Sequence, residues 1–201
     1  MLKRIDLIAS LVIGEAAALL MLAISQNLAL PRGPTSLLPW LPFTFPLFTL
    51  AVVAAGAVLG RRLAVAYQFS KFLLVGGLNF LIDLGVLNLL IAATAISAGF
   101  YADVFKAAAF LVAVSSSFLW NKFWTFRSLS TEHAGLQFVE FFVVSAVGLA
   151  INVSTFALMN DALGPKFGIP AVAWASVSAG GAAAVGLLWN FLGYKLVVFR
   201  K

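Results

Sequence analysis

The chain has 201 residues, 63% of them hydrophobic and 10% charged, with a mean hydropathy of +1.06. A soluble domain carries about 25% charged residues, which excludes water as the solvent for most of this surface. Six spans of about 20 residues would leave short loops and no room for a soluble catalytic domain.

The net charge of +6 does not point to nucleic acid, because the basic residues stand between apolar runs. With no cysteine, disulfides and thiolate metal sites are impossible, and the one histidine, His133, lies in a polar loop. Neither a metal nor another cofactor is expected.

Six apolar segments at about 5–28, 40–60, 72–95, 104–126, 137–160 and 170–194 predict an all-α integral membrane protein of about six transmembrane helices. The first opens on Met1-Leu2-Lys3-Arg4 like a signal peptide. No small-residue cleavage site and polar mature chain follow, so it reads as a retained helix, with Glu15 near its middle. The second is interrupted by Pro39, Pro42 and Pro46. A helix running only from Leu47 to Gly60 would be roughly 21 Å long, too short to span alone. This segment therefore starts early and kinks, or is partly re-entrant.

The third segment holds the most expensive residue. Asp83 lies about 18 Å along the axis from Lys71, close to the midplane, where a carboxylate costs about 2.5–3.5 kcal/mol on insertion scales. Asn79 is one turn earlier on the same face, and Gly76 continues that face. In the fifth segment Ser145, Gly148 and Asn152 take corresponding positions. Asn79, Asp83, Asn152 and Glu15 are thus candidates for a polar path through the membrane, or else interhelical hydrogen-bonding groups.

The fourth segment ends on Trp120-Asn121-Lys122, and the sixth carries Trp189-Asn190 followed by Lys195. An aromatic belt with snorkelling lysines accounts for the tryptophans and lysines. It does not require the repeated asparagine. Asn121, Lys122, Asn190 and Lys195, flanked by Trp120 and Trp189, would suit a phosphate at headgroup level.

Loop charges set the orientation. Lys3, Arg4, Arg61, Arg62, Lys71, Lys122, Arg127, Lys195, Arg200 and Lys201 fall on one side, against Arg32, Lys106 and Lys166 on the other. The richer side marks the cytoplasm and places both termini there.

An internal repeat covers about 68–128 and 137–201. Phe69-Ser70-Lys71-Phe72 aligns with Phe138-Val139-Glu140-Phe141, and Phe118-Leu119-Trp120-Asn121 with Leu187-Leu188-Trp189-Asn190, both at an offset of 69. Each unit closes on Phe-Arg, with a four-residue insertion in the second. Two helices per unit make the copies parallel repeats. No phosphate loop, His-Glu-x-x-His or Ser-His-Asp set is present, and an enzyme is not expected.

The run from Gln68 through Lys71-Phe72-Leu73-Leu74-Val75-Gly76-Gly77-Leu78-Asn79 to Asp83, followed by Asn121-Lys122-Phe123-Trp124-Thr125-Phe126-Arg127, resembles the GtrA-like family of small bacterial membrane proteins. The resemblance covers 66–201 and leaves 1–65 as an additional helix pair. It implies a four-helix core that translocates polyprenyl-phosphate-linked sugars for cell-surface polysaccharide synthesis, in the bacterial cytoplasmic (inner) membrane. Partners on this reading are the lipid-linked sugar, membrane lipid, a glycosyltransferase and further copies of the chain. Two other readings stay open: a membrane anchor recruiting a glycosyltransferase, and a small proton-coupled exporter using Glu15 or Asp83.

Overall fold

The computed structural model describes residues 2–26, 36–166, 168 and 170–200, except the side chains of 171–173, 175 and 176. Among these residues all regular backbone is helical. Arg32 and Lys201, used above for orientation, lie outside the described residues.

Six helices follow in order: α1 Arg4–Gln26, α2 Leu41–Leu59 preceded by a 3-10 turn Leu38–Trp40, α3 Ala64–Thr94, α4 Phe100–Trp120, α5 Ala134–Ala157 and α6 Ala171–Gly193. The second segment starts early: Leu38–Leu59 gives 22 residues, roughly 33 Å, enough to cross a hydrocarbon core of about 30 Å. Proline at the first helical positions costs no hydrogen bond, and Pro46 alone sits inside the helix. At 31 residues, α3 is roughly 46 Å long and exceeds that thickness.

The chain divides into two units, residues 1–127 and 128–201. In the first, α1 packs on α2 and α3, α2 on α3, and α3 on α4. Two close approaches set the registers. A Cβ at Gly14 would stand 2.5 Å from the Pro46 Cα, so only glycine lets α1 and α2 meet there. The Thr49 hydroxyl lies 2.7 Å from the Ser10 carbonyl and 2.9 Å from that of Pro46, so its one hydrogen is shared between the helices. Two turns further along α2 Gly56 faces Ser70, and one turn beyond that Gly60 faces Tyr67.

Ala9, Ile13 and Ala17 of α1, Val53 of α2, Leu74, Val75 and Leu78 of α3, and Trp124 after α4 form the core of this unit. Large apolar side chains elsewhere point outward, among them Ile8, Phe43, Phe80 and Leu89. An apolar exterior is what lipid, as the surrounding solvent, favours.

In the second unit α5 packs on α6. Here too small residues bring backbones together: a Cβ on Gly186 would lie 3.2 Å from the Asn152 Cβ, and one on Gly193 would lie 2.5 Å from Val144 Cγ1.

Both α4 and α6 run on into a π-helical turn, Asn121–Thr125 and Tyr194–Val198. Each turn closes on the same bond, Phe126 N–H to the Asn121 carbonyl at 2.9 Å and Phe199 N–H to the Tyr194 carbonyl at 2.8 Å. Lys122 and Lys195 therefore hold equivalent places in the two turns. Trp189 and Asn190 precede the turn of α6, inside the helix body.

Candidate functional site

The most densely bonded side chain in the first unit is Asp6, in the first turn of α1 and fully buried. It extends the buried stripe of Ala9, Ser10 and Ile13 by one turn, so the face that packs α1 into the unit carries the carboxylate inward. Lys71 Nζ of α3 stands 2.5 Å from Asp6 Oδ1, and the Tyr67 hydroxyl, one turn earlier, donates to Oδ2 at 2.6 Å. From beyond α4, Trp124 Nε1 donates to Oδ1 at 3.1 Å, and Arg127 Nη2 lies 2.9 Å from both oxygens. The Lys3 backbone N–H completes the set at 3.1 Å.

Two further contacts hold Lys71. Its ammonium stands 4.2 Å from the centre of the Tyr67 ring and 5.5 Å from that of Trp124, within cation–π range. Trp124 in turn meets Trp120 edge-on at 6.0 Å. The cluster gathers the start of α1, the start of α3 and the end of α4 at one end of the unit. That end also holds Lys3, Arg4 and, beside Tyr67, the Arg61–Arg62 turn.

As site residues, Asp6, Tyr67, Lys71, Trp124 and Arg127 do not emerge from the sequence. A signal did exist for Asp6, since the helical stripe Ile13, Ala9, Asp6 places it on the packing face. Its partners, 61 to 121 residues away, left no such trace.

The predicted path residues fall as follows. Asp83 of α3 is ion-paired with Lys106 of α4; the lysine side chain is half exposed and the acid mostly covered. Asp83 Oδ1 and Asn79 Oδ1 are buried and accept no hydrogen bond among the described residues. Glu15 is half-buried on α1. Among the described residues, a Cβ added at Gly76 would meet nothing within 4 Å.

In the second unit, Asn190 of α6 rests on Gly148 of α5, and Asn152 packs beside Gly186. Trp189 donates its indole N–H to the Val144 carbonyl at 3.0 Å. Ser145 and Tyr194 hydroxyls share a bond of 2.7 Å, and the Tyr194 ring stacks on Phe141 at 4.0 Å.

Asn121 and Lys122 are fully buried in the first π-turn, with the Asn121 amide donating to the Ser117 carbonyl at 3.0 Å. Its Oδ1 accepts nothing among the described residues. Lys195 is half-buried and lies 5.9 Å from the Phe191 ring centre. Among the described residues, no three His, Cys, Asp or Glu converge as a metal site would require.

The family model described as GtrA/DPMS, transmembrane domain, matches residues 71–199. The chain belongs to the GtrA/DPMS family. No curated protein and no solved structure matches it. GtrA/DPMS domains occur in membrane proteins of glycosyl-lipid and polysaccharide pathways, and the family is generally non-catalytic. With six helices among the described residues long and apolar enough to cross, this GtrA/DPMS protein is a multi-pass membrane protein. Lys71, Trp124 and Arg127 fall inside the matched region, whereas Asp6 lies outside it.

Proposed function

We propose that this GtrA/DPMS protein translocates a polyprenyl-phosphate-linked sugar across the bacterial cytoplasmic membrane, with both termini on the cytoplasmic side. Such a donor has an anionic phosphate, a polar sugar and a long apolar chain. Its head needs a polar route while the chain stays in lipid. The observation that carries the reading is the Asp83–Lys106 pair with Asn79 Oδ1 unsatisfied nearby, set in helices of membrane length. Ionisable groups within membrane-spanning segments are costly and are functional-site candidates by default.

On this reading each unit, taken by itself, offers a phosphate contact: Lys122 with Asn121 and Trp120 in the first, and Lys195 with Asn190 and Trp189 in the second. Polar residues for the head's route are Asn79, Asp83 and Glu15 in the first unit and Asn152 in the second. Lys106 serves as an exchangeable cation: it leaves Asp83 for the passing phosphate and returns afterwards.

The test is flipping of a polyprenyl-phosphate sugar in proteoliposomes holding only this protein, beside Asp83→Asn. Transport in the wild type and at least about tenfold less in the variant supports translocation; equal rates remove the path from α3.

The same ion pair favours a second reading, a membrane anchor recruiting a glycosyltransferase. An acid neutralised within the bundle needs no substrate to explain it. Under that reading Asp83→Leu combined with Lys106→Leu keeps glycosyltransferase recruitment, and sealed vesicles show no flipping.

A further inference from the structure

Lys71 and Arg127 bring two formal positive charges to the single carboxylate of Asp6, so the cluster has one positive charge in excess. Excess charge beneath a protein surface is costly unless an anion answers it. The excess faces outward at one point: the Arg127 side chain is 30% exposed, while Lys71 is 3% and Asp6 0%. An anion arriving from outside meets the guanidinium first and the ammonium behind it.

The four donors suit phosphate as well as carboxylate. Guanidinium, ammonium, phenol and indole N–H all donate, and the first two match the charge of a phosphate ester. Three of the four donor residues, Lys71, Trp124 and Arg127, belong to the region matched by the GtrA/DPMS family, and the carboxylate that holds them comes from α1, outside it.

An apolar groove of about 450 Å³ lies further along the same three helices, α1, α2 and α3. Its lining begins at Ile13, two turns along α1 from Asp6, and at Leu73 and Leu74, about one turn along α3 from Lys71. From there it runs to Met21 and Leu81, with Phe45 and Phe48 of α2 as its far wall. Cations about one turn before the groove on α3 and hydrocarbon along its length complement an amphiphile with an anionic head.

We propose that Tyr67, Lys71, Trp124 and Arg127 form a binding site for the phosphate of a membrane lipid whose chain lies in this groove, with the Asp6 carboxylate as its built-in competitor. The choice of a lipid phosphate rests on the translocation reading above; the site rests on its donors and groove. When phosphate enters, it takes over the donors of α3 and of the segment after α4. Asp6 keeps the Lys3 N–H of its own turn. A phosphate ester then answers the cations from the exposed side, where Asp6 answers them from within.

The experiment titrates the full chain, in phosphatidylcholine nanodiscs, with a long-chain polyprenyl monophosphate and reads tryptophan fluorescence. Inorganic phosphate and the phosphate-free polyprenol run as separate arms. The wild type should bind the phosphate lipid saturably, and Lys71→Gln should bind at least about tenfold more weakly. Because Asp6 holds the site closed in all but a minor fraction of molecules, Asp6→Asn should bind at least about tenfold more tightly.

Equal affinity for inorganic phosphate would overturn the lipid assignment, and equal affinity for polyprenol would overturn the phosphate site. Unchanged or weaker binding by Asp6→Asn would overturn the competitor role. Should that variant fail to fold, Lys71→Gln decides, because it leaves Asp6 paired with Arg127, Tyr67 and Trp124; wild-type affinity there overturns the site. Failure of the translocation reading looks different. A protein that binds the phosphate lipid in this pattern but does not flip its sugar derivative loses the transport role and keeps the site.

Discussion

One nitrogen of Arg127 stands 2.9 Å from each carboxylate oxygen of Asp6, across 121 residues of chain. That contact, with Lys71 on the same acid, fastens the start of α1 to the start of α3 and to the end of α4. The helix pair that precedes the family-matched region is therefore bound into it by charge as well as by the core around Ile13 and Val75.

Removing the acid should cost more than removing any one donor. Asp6→Ala strands Lys71 and Arg127 together, and breaking a buried pair in this way costs about 3–5 kcal/mol. Thermal unfolding in detergent should show a melting temperature several degrees below wild type. A melt indistinguishable from wild type would mean that the cluster carries no stability.

Tyr67→Phe deletes one hydrogen bond to a charged acceptor and leaves the ring under the Lys71 ammonium. Bonds of that kind contribute about 1.5–3 kcal/mol, and the other donors to Asp6 soften the loss. The expected effect is about 1–2 kcal/mol, smaller than that of Asp6→Ala, measured by the same melts. A reversed order would contradict the central place given to the carboxylate.

Glycines separate contact from open space. Gly14→Val drives a side chain into the Pro46 backbone, which side-chain rotation cannot relieve. Overpacking of this type costs about 1–3 kcal/mol or more. Gly76→Ala meets nothing within 4 Å and gains helix propensity, up to about 1 kcal/mol. Comparative melts of the two variants check the α1–α2 register directly: similar stabilities would mean the register is wrong.

For transport, Lys122→Gln with Lys195→Gln should abolish flipping in proteoliposomes while leaving membrane insertion intact. Normal flipping by the double variant would remove both lysines from the phosphate contact.

Much of this architecture was legible before folding was considered. Hydropathy alone placed six helices to within a few residues at most ends, because lipid selects for apolar side chains over about 20 consecutive positions. The proline-rich segment was the ambiguous one. Its start became clear only in three dimensions, where the early turn Leu38–Trp40 leads straight into α2 and Gly14 of α1 accommodates Pro46. Asp83 stood out from its depth, yet nothing local named Lys106 as its partner, since Lys106 read as a loop-side charge.

The repeat shows where pattern stops informing. At a constant offset Asn190 aligns with Asn121, but the π-turns make Tyr194 the counterpart of Asn121, and Asn190 rests on Gly148 one turn inside. An extra turn's worth of residues moves a side chain from the helix end into a helix interface without changing the hydropathy.

Span number and the apolar exterior were written into composition, because each depends on a property summed along a short window of chain. The pairing of Asp6 with Lys71 and Arg127 was not, because it depends on helix registers set by close approaches at Gly14, Gly56 and Gly60. Those approaches, with the packing of α4 on α3, bring together residues 65 and 121 positions apart, and no local period records that distance.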